Sequence, residues 1–202
     1  MTVLLDKRSV RKAVSLLKQE EIVSFPTDTV FGIGVIYNSA VAVNKMKLAK
    51  GRDVSKPFPL MVADVEQMSE VAFLTEREKR IADRFMPGAL TLVLNKKDTV
   101  DDSFVNGFKT IAIRIPDDRF VLRLLKEAGP MFVTSANMSG EPAANTHEEV
   151  LAQLDGRIAA VVKGEAKSHI ASTIIDCTGS ELKCLREGTI SFEEIREIAD
   201  EG

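Results

Sequence analysis

The 202-residue chain has no tryptophan, one tyrosine, two histidines and two cysteines. With so few rings, the stacking of single-stranded bases is poorly supplied, and the aromatic motif of RNA-recognition domains is missing. Cys177 and Cys184 are too few for a disulfide framework or a four-ligand zinc site. They read as two free thiols of a reducing compartment. His147 and His169 each lack a second imidazole or thiolate at ligand spacing. No stretch approaches the ~18 consecutive apolar residues of a membrane span. The N-terminus, Met1-Thr-Val-Leu-Leu-Asp6, meets Lys7 and Arg8 at once, unlike a secretory signal. A soluble cytoplasmic protein that does not engage a membrane is expected. A GxxxxGK[ST] phosphate loop and a GxSxG elbow are both missing, and Gly32-Ile-Gly34 lacks the third glycine of a dinucleotide fingerprint.

What is present is an ordinary globular balance. Charged residues are 28% and hydrophobic residues 45% of the chain, and 27 Lys+Arg against 30 Asp+Glu give a net charge of −3. That composition excludes disorder and collagen-like repeats. A chain this long buries roughly 70% of its unfolded surface, so it needs no staples. The mild net charge hides one cluster, Lys45, Lys47, Lys50, Arg52 and Lys56, opposed only by Asp53. Such a run is commonly a solvated helix face, but it can also hold an anion.

Helix and strand patterns alternate from end to end. Ser9, Ser39, Asp64, Thr75, either Asp117 or Asp118, Thr146 and Ser191 are placed to cap helices, and Gly51 to stop the second. Strands are expected at 22–25, 59–62, 89–94, 110–115, 131–134 and 158–162, followed by a hairpin over 172–186. With no internal repeat, linker or composition break, residues 1–202 read as a single α/β domain on a twisted mixed sheet with flanking helices.

Several segments carry usable chemistry. In Thr110-Ile-Ala-Ile-Arg-Ile115 the isoleucines share one face, and Thr110, Ala112 and Arg114 share the other. A small residue between a hydroxyl and a guanidinium leaves space above the sheet, and the guanidinium fork suits a carboxylate or phosphate. Phe25-Pro-Thr-Asp-Thr29 follows a strand and offers hydroxyls at the edge where open sheets bind ligands. Thr134-Ser-Ala-Asn137 does the same, with small residues that let backbone N–H groups approach an anion. Lys50-Gly-Arg52 places two cations around a helix stop. Ser172-Thr173 opens a strand, and Arg186 closes its hairpin partner. Taken singly, the Thr110–Ile115 strand is equally well read as a solvent-facing strand, and the other segments are better read as turns, caps and surface charge.

Together and in this order they resemble the YrdC/Sua5/TsaC family, the threonylcarbamoyl-adenylate synthases of tRNA modification. The resemblance runs to about Gly188. It is carried by Phe25-Pro-Thr-Asp-Thr-Val-Phe-Gly-Ile-Gly34, Lys50-Gly-Arg52 with Lys56-Pro57, Pro87-Gly-Ala-Leu-Thr-Leu-Val-Leu94 and Ile113-Arg-Ile-Pro116. Thr134-Ser-Ala-Asn-Met-Ser-Gly-Glu-Pro142, Ser172-Thr-Ile-Ile-Asp176 and Leu185-Arg-Glu-Gly188 complete it. The resemblance implies a YrdC-like fold with a basic concave cleft. It also implies formation of an adenylate from L-threonine, bicarbonate and ATP, with Mg²⁺ entering on the nucleotide phosphates. Lys50, Arg52, Ser135 and Asn137 would hold the ATP phosphates and the adenylate, and Thr110 and Arg186 would stand on the ATP side. Thr27, Arg114, Thr134 and Ser172 would serve threonine. Downstream proteins would pass the product to tRNA.

The sequence departs from the family pattern in places. Phe31 replaces a frequent Tyr, and Glu187 a frequent Pro. Leu60-Met-Val-Ala-Asp64 lacks a frequent His, and Lys167-Ser-His-Ile-Ala171 lacks glycines. The chain stops near residue 202 and reads as the short, single-domain form. Two other readings stay open: a non-catalytic module binding tRNA or double-stranded RNA through the Lys45–Lys56 cluster, and an enzyme with a different acyl or carbamoyl acceptor on the same fold.

Overall fold

Alternation of side chains along the strands decides the architecture. The structure is a computed structural model and describes residues 1–51 and 57–201. Its elements are β1 (Val3–Leu5), α1 (Val10–Lys18), β2 (Val23–Phe25), β3 (Gly32–Ile36), α2 (Ala40–Lys50), β4 (Leu60–Met61), α3 (Val65–Val71), α4 (Glu76–Phe85) and β5 (Leu90–Asn95). After a 3-10 turn at Asp102–Val105 come β6 (Thr110–Arg114), α5 (Arg119–Ala128), β7 (Met131–Ser135), α6 (His147–Leu154), β8 (Ala160–Val162), β9 (Thr173–Asp176), β10 (Lys183–Arg186) and α7 (Phe192–Asp200). The ten strands form one mixed sheet in the order β1-β8-β2-β3-β7-β4-β6-β5-β9-β10.

The two faces of this sheet are covered unequally. Phe132, Val161, Leu60, Ile111, Ile113, Leu90, Leu92, Leu94 and Ile175 point to one face, where α2, α3, α4, α6 and α7 pack on them. Their sequence neighbours Met131, Val133, Ala160, Val162 and Met61 point to the other, where α1 and α5 cover them. Period-two alternation then puts Thr91, Val93, Ala112, Arg114 and Ile174 on that second face. Those five line an open cavity rather than a helix interface. The site is thus the half of one sheet face that α1 and α5 do not reach.

The caps follow the sequence with small differences. Ser39 Oγ accepts from Ala42 N at 3.1 Å, and Gly51 closes α2 in the left-handed region at φ 58°. Asp118 accepts from Phe120 N, and Thr146 from Glu149 N. Ser9 makes no side-chain cap. The return bonds of Gln67 and Glu149 reach Ala63 N and Asn145 N, one residue before the expected cap.

Two strands lie outside the sequence expectation. β1 is only three residues long and gains its place from parallel pairing with β8. β3 contains Gly32 and Gly34, which weaken a strand in isolation. Both glycines answer close approach: a Cβ at Gly34 would stand 3.0 Å from the Phe25 ring, and one at Gly32 2.9 Å from Val133. The pairing of β3 with β2 and β7 brings Thr27 and Ser135 to one rim, with Gly32 opposite both Phe25 and Ser135.

Gly188 closes the far rim. A Cβ there would collide with the Ala171 carbonyl oxygen and lie 2.8 Å from Thr173 N. Backbone cannot yield as a flexible side chain does, so Gly188→Ala should lower unfolding stability by about 3 kcal/mol, the upper end of overpacking costs. An unchanged urea midpoint would contradict the packing described. The cysteines give a second check. Burial pushes the Cys177 thiol up to about 12, while Cys184 is exposed. One thiol should react quickly with a disulfide reagent in the folded protein, and two after denaturation. Two fast thiols in the native state would be the wrong result.

Candidate active site

The cavity has a volume of about 720 Å³ and gathers residues from distant parts of the chain. Thr27 and Thr29 come from the β2–β3 connection, Thr91 from β5, and Ala112 and Arg114 from β6. Thr134 and Ser135 come from the end of β7, Ser172 from the residue before β9, and Arg186 from β10. Six residues singled out in the sequence therefore share one hollow: Thr27, Arg114, Thr134, Ser135, Ser172 and Arg186.

Arg114 is the best-buried cation of this wall, at 5% exposure. Its Nε donates to Gly88 O at 3.0 Å, one terminal nitrogen to Thr29 Oγ1 at 2.8 Å, and the other to Asp28 Oδ1 at 2.7 Å. A guanidinium has five N–H donors. One N–H on each terminal nitrogen is left for an incoming carboxylate or phosphate oxygen. Burial pushes the Arg114 guanidinium down, and the Asp28 carboxylate opposes that shift. Burial, and then the like charge of Arg114, push Arg186 down as well. Both side chains stay protonated at any working pH. A buried cation with a second, more exposed guanidinium on the same hollow favours an anion there.

The hydroxyls are arranged by short local bonds. Thr27 Oγ1 donates to Val30 O at 2.7 Å and accepts from Thr29 N at 3.1 Å. On the opposite rim, Arg186 Nε donates to Ser172 O at 2.9 Å. The segment before Ser172 lies along the first rim. Lys167 N donates to Thr27 O and His169 N to Thr29 O, at 3.2 and 2.9 Å. His169 adopts φ 61°, a conformation glycine takes at less cost. That position is where the scarcity of glycine noted in the sequence is felt.

Lys50 sits behind this wall rather than in it. It is 3% exposed, and its ammonium donates to Ser135 O at 2.6 Å and Asn137 O at 2.9 Å, with Asn137 Oδ1 at 3.3 Å. Ser135 Oγ donates to Asn137 Oδ1 at 2.6 Å, and Asn137 Nδ2 donates to Met138 O and Glu141 O. Lys50, Ser135 and Asn137 are therefore together, as one knot under the loop that follows β7. Arg52 lies outside the described residues. Thr110 lies at the start of β6, opposite Asn95, on the face of Ala112 and Arg114 but beyond the cavity lining.

Among the described residues, the basic run at 45–56 forms no exposed stripe. Lys45 pairs with Glu21 at 2.6 Å, Lys47 reaches Asn106 at 3.3 Å, and Lys50 is buried. Lys56, like Arg52, is outside the described residues. Sequence reasoning left three residues without a role: Asp28 and Thr29, which hold Arg114, and Thr91. Asp28 and Thr29 stood in the Thr27 motif, and Thr91 in the Pro87–Leu94 motif. Their partners are 85, 86 and 81 positions away, so only the fold reveals what they do.

Arg114→Met should cost about 3–5 kcal/mol, because it leaves Asp28 buried without its partner. Adding Asp28→Asn should return part of that loss in a double-mutant cycle. A loss that the second substitution does not change would rule out the pairing as its cause.

Residues 15–188 match the Sua5/YciO/YrdC family model, whose description reads telomere recombination. A threonylcarbamoyl-AMP synthase of Bacillus subtilis is 38% identical over 193 residues, covering 94% of this chain and 56% of the relative. Another, from Pyrococcus abyssi, is 32% identical over 210 residues, covering 100% of this chain and 62% of the relative. The chain thus spans under two thirds of the length of these two relatives. The crystal structure of P. abyssi Sua5 complexed with L-threonine superposes with a TM-score of 0.92 at 31% identity, over 98% of this chain and 60% of that one.

Proposed function

The chain belongs to the Sua5/YciO/YrdC family, and from that premise we propose that it makes threonylcarbamoyl-AMP and pyrophosphate from L-threonine, bicarbonate and ATP. The product would serve the N6-threonylcarbamoyladenosine modification of tRNA, in the cytoplasm, through downstream transfer proteins. The observation that carries this reading is the shared cavity. It joins a buried guanidinium with free N–H groups, a second guanidinium, and hydroxyls on both rims. A relative of similar fold has L-threonine bound in its crystal structure.

The reaction divides into two stages. The threonine amine forms a C–N bond to the carbon of bicarbonate, and water leaves to give an N-carboxylate. An oxygen of that carboxylate then attacks the α-phosphorus of ATP, and the bond to pyrophosphate breaks. Neither stage requires a protein nucleophile, and positioning with charge neutralisation suffices in principle. Arg114 would take the threonine carboxylate through its two remaining N–H groups. Thr27 and Thr134, with Ser172 across the cavity, would serve the same substrate. Arg186 would serve the phosphate side, with Thr110 further along the same face. Lys50 and Asn137 hold the loop that presents Ser135, and Arg52 follows Lys50 by two positions in the sequence.

Magnesium fits this reading as part of the substrate. Among the described residues, His, Cys, Asp and Glu form no group of three or more that could hold a metal ion. Asp28, the carboxylate beside Arg114, is already committed to it. Mg²⁺ keeps several waters and binds through few protein groups, so it would arrive on the ATP phosphates. The rival reading as an RNA-binding module relied on the basic run, whose described lysines are paired or buried. Among the described residues, no helix is long and apolar enough to cross a membrane.

Pyrophosphate release from ATP should require both L-threonine and bicarbonate. Release that ignores threonine would favour a different acceptor. No release, together with RNA affinity that falls steeply with salt, would favour the binding module. Lys50→Ala, which removes the support of the Ser135 loop, and Arg52→Ala should each cut turnover by ~10²-fold or more, as for a misplaced or lost group at the reacting centre. Wild-type turnover in both variants would remove these residues from the mechanism.

A further inference from the structure

Thr91 is 3% exposed on the floor of the cavity. Among the described residues its hydroxyl has one hydrogen-bond partner, Ser172 Oγ at 2.8 Å. Ser172 Oγ also faces Arg186, whose terminal nitrogen stands 3.2 Å away. Counting protons fixes the direction of one of these bonds. A guanidinium only donates, and a hydroxyl has one proton and two lone pairs. Ser172 Oγ therefore accepts from Arg186. Between Thr91 and Ser172 either hydroxyl can donate, and either arrangement leaves one proton of the pair toward the cavity that both residues line. Where Thr91 donates, both lone pairs of Ser172 Oγ are filled, and the proton left for the cavity is that of Ser172, the more exposed of the two at 5% against 3%.

The place of this proton is set by the sheet. Leu92 is in register with Ile113, and the ladder between β5 and β6 is antiparallel. One step along, Thr91 and Arg114 are neighbours on the cavity face. With Thr91 as the donor, the Ser172 proton lies in the cavity that Arg114 also lines.

We propose that Thr91 is a positioning residue: with Arg186, it fixes the Ser172 hydroxyl as a donor to a carboxylate oxygen of the amino-acid substrate. The inference rests on the threonine-binding reading given above for this cavity. It excludes a substrate N–H as the partner of Ser172, because a filled acceptor has no lone pair to offer.

The test is calorimetric titration of the full chain with L-threonine, with thermal unfolding measured in parallel. Thr91→Val should weaken binding about tenfold, roughly 1.4 kcal/mol. Thr91→Ser should stay within about twofold of wild type, and Thr91→Val should add nothing in a Ser172→Ala background. Unchanged binding in folded Thr91→Val, no rescue by serine, or additive losses would each overturn the proposal. Thermal unfolding reads the hydroxyl pair without ligand. Ser172→Ala orphans the Thr91 proton and should lower Tm by about 2–4 °C, and adding Thr91→Val should restore much of it. If wild type binds no L-threonine, the functional reading falls. Unfolding then decides the hydroxyl arrangement alone, and a double variant no more stable than Ser172→Ala would overturn it.

Discussion

A guanidinium held under a sheet face organises this protein. Arg114 ties β6 to the β2–β3 connection through Asp28 and Thr29, and to the turn before β5 through Gly88 O. Those segments are 26 to 86 positions away along the chain. Desolvating such a cation is costly, and one carboxylate repays it only with good geometry and further hydrogen bonds. The arrangement supplies both, and it keeps two N–H groups in reserve. A structural ion pair and a ligand-binding group are here the same side chain.

The rest of the site depends on what α1 and α5 leave uncovered. The opposite face carries five helices and a continuous apolar layer. On the site face the helices stop short, and small or polar residues replace the large apolar ones: Thr91, Ala112 and Arg114 stand where the neighbouring face has Leu92, Ile111 and Ile113. Ala112 matters by being small, since it leaves volume between the guanidinium and the far rim. The second rim, with Ser172 and Arg186, is set by the antiparallel β9–β10 pair and by Gly188, which lets the chain pass against Ala171 and Thr173.

Much of this could be read before the fold was known, because the signals were local. The alternation in Thr110–Ile115 gave the strand, its apolar face and the direction of Arg114. Caps at Ser39, Asp118 and Ser191, with the stop at Gly51, follow from backbone chemistry within a few residues. What escaped was non-local. β3 was hidden by two glycines whose reason is the Phe25 ring and Val133 on neighbouring strands. β1 was hidden because three residues carry little pattern. Lys50 was expected among the groups that hold the ATP phosphates, and its burial depends on carbonyls 85 and 87 positions away. Asp28 looked like a turn residue, and its pairing with Arg114 needed the sheet.

The central claim is that one hollow holds the amino acid against Arg114 with the nucleotide beside it. A crystal structure of this chain with L-threonine and a non-hydrolysable ATP analogue tests it most directly. The account requires the threonine carboxylate within hydrogen-bond distance of the Arg114 terminal nitrogens, and the triphosphate in the same cavity toward Arg186 and the loop after β7. A threonine bound away from Arg114, or a nucleotide on the helix-covered face of the sheet, would contradict it.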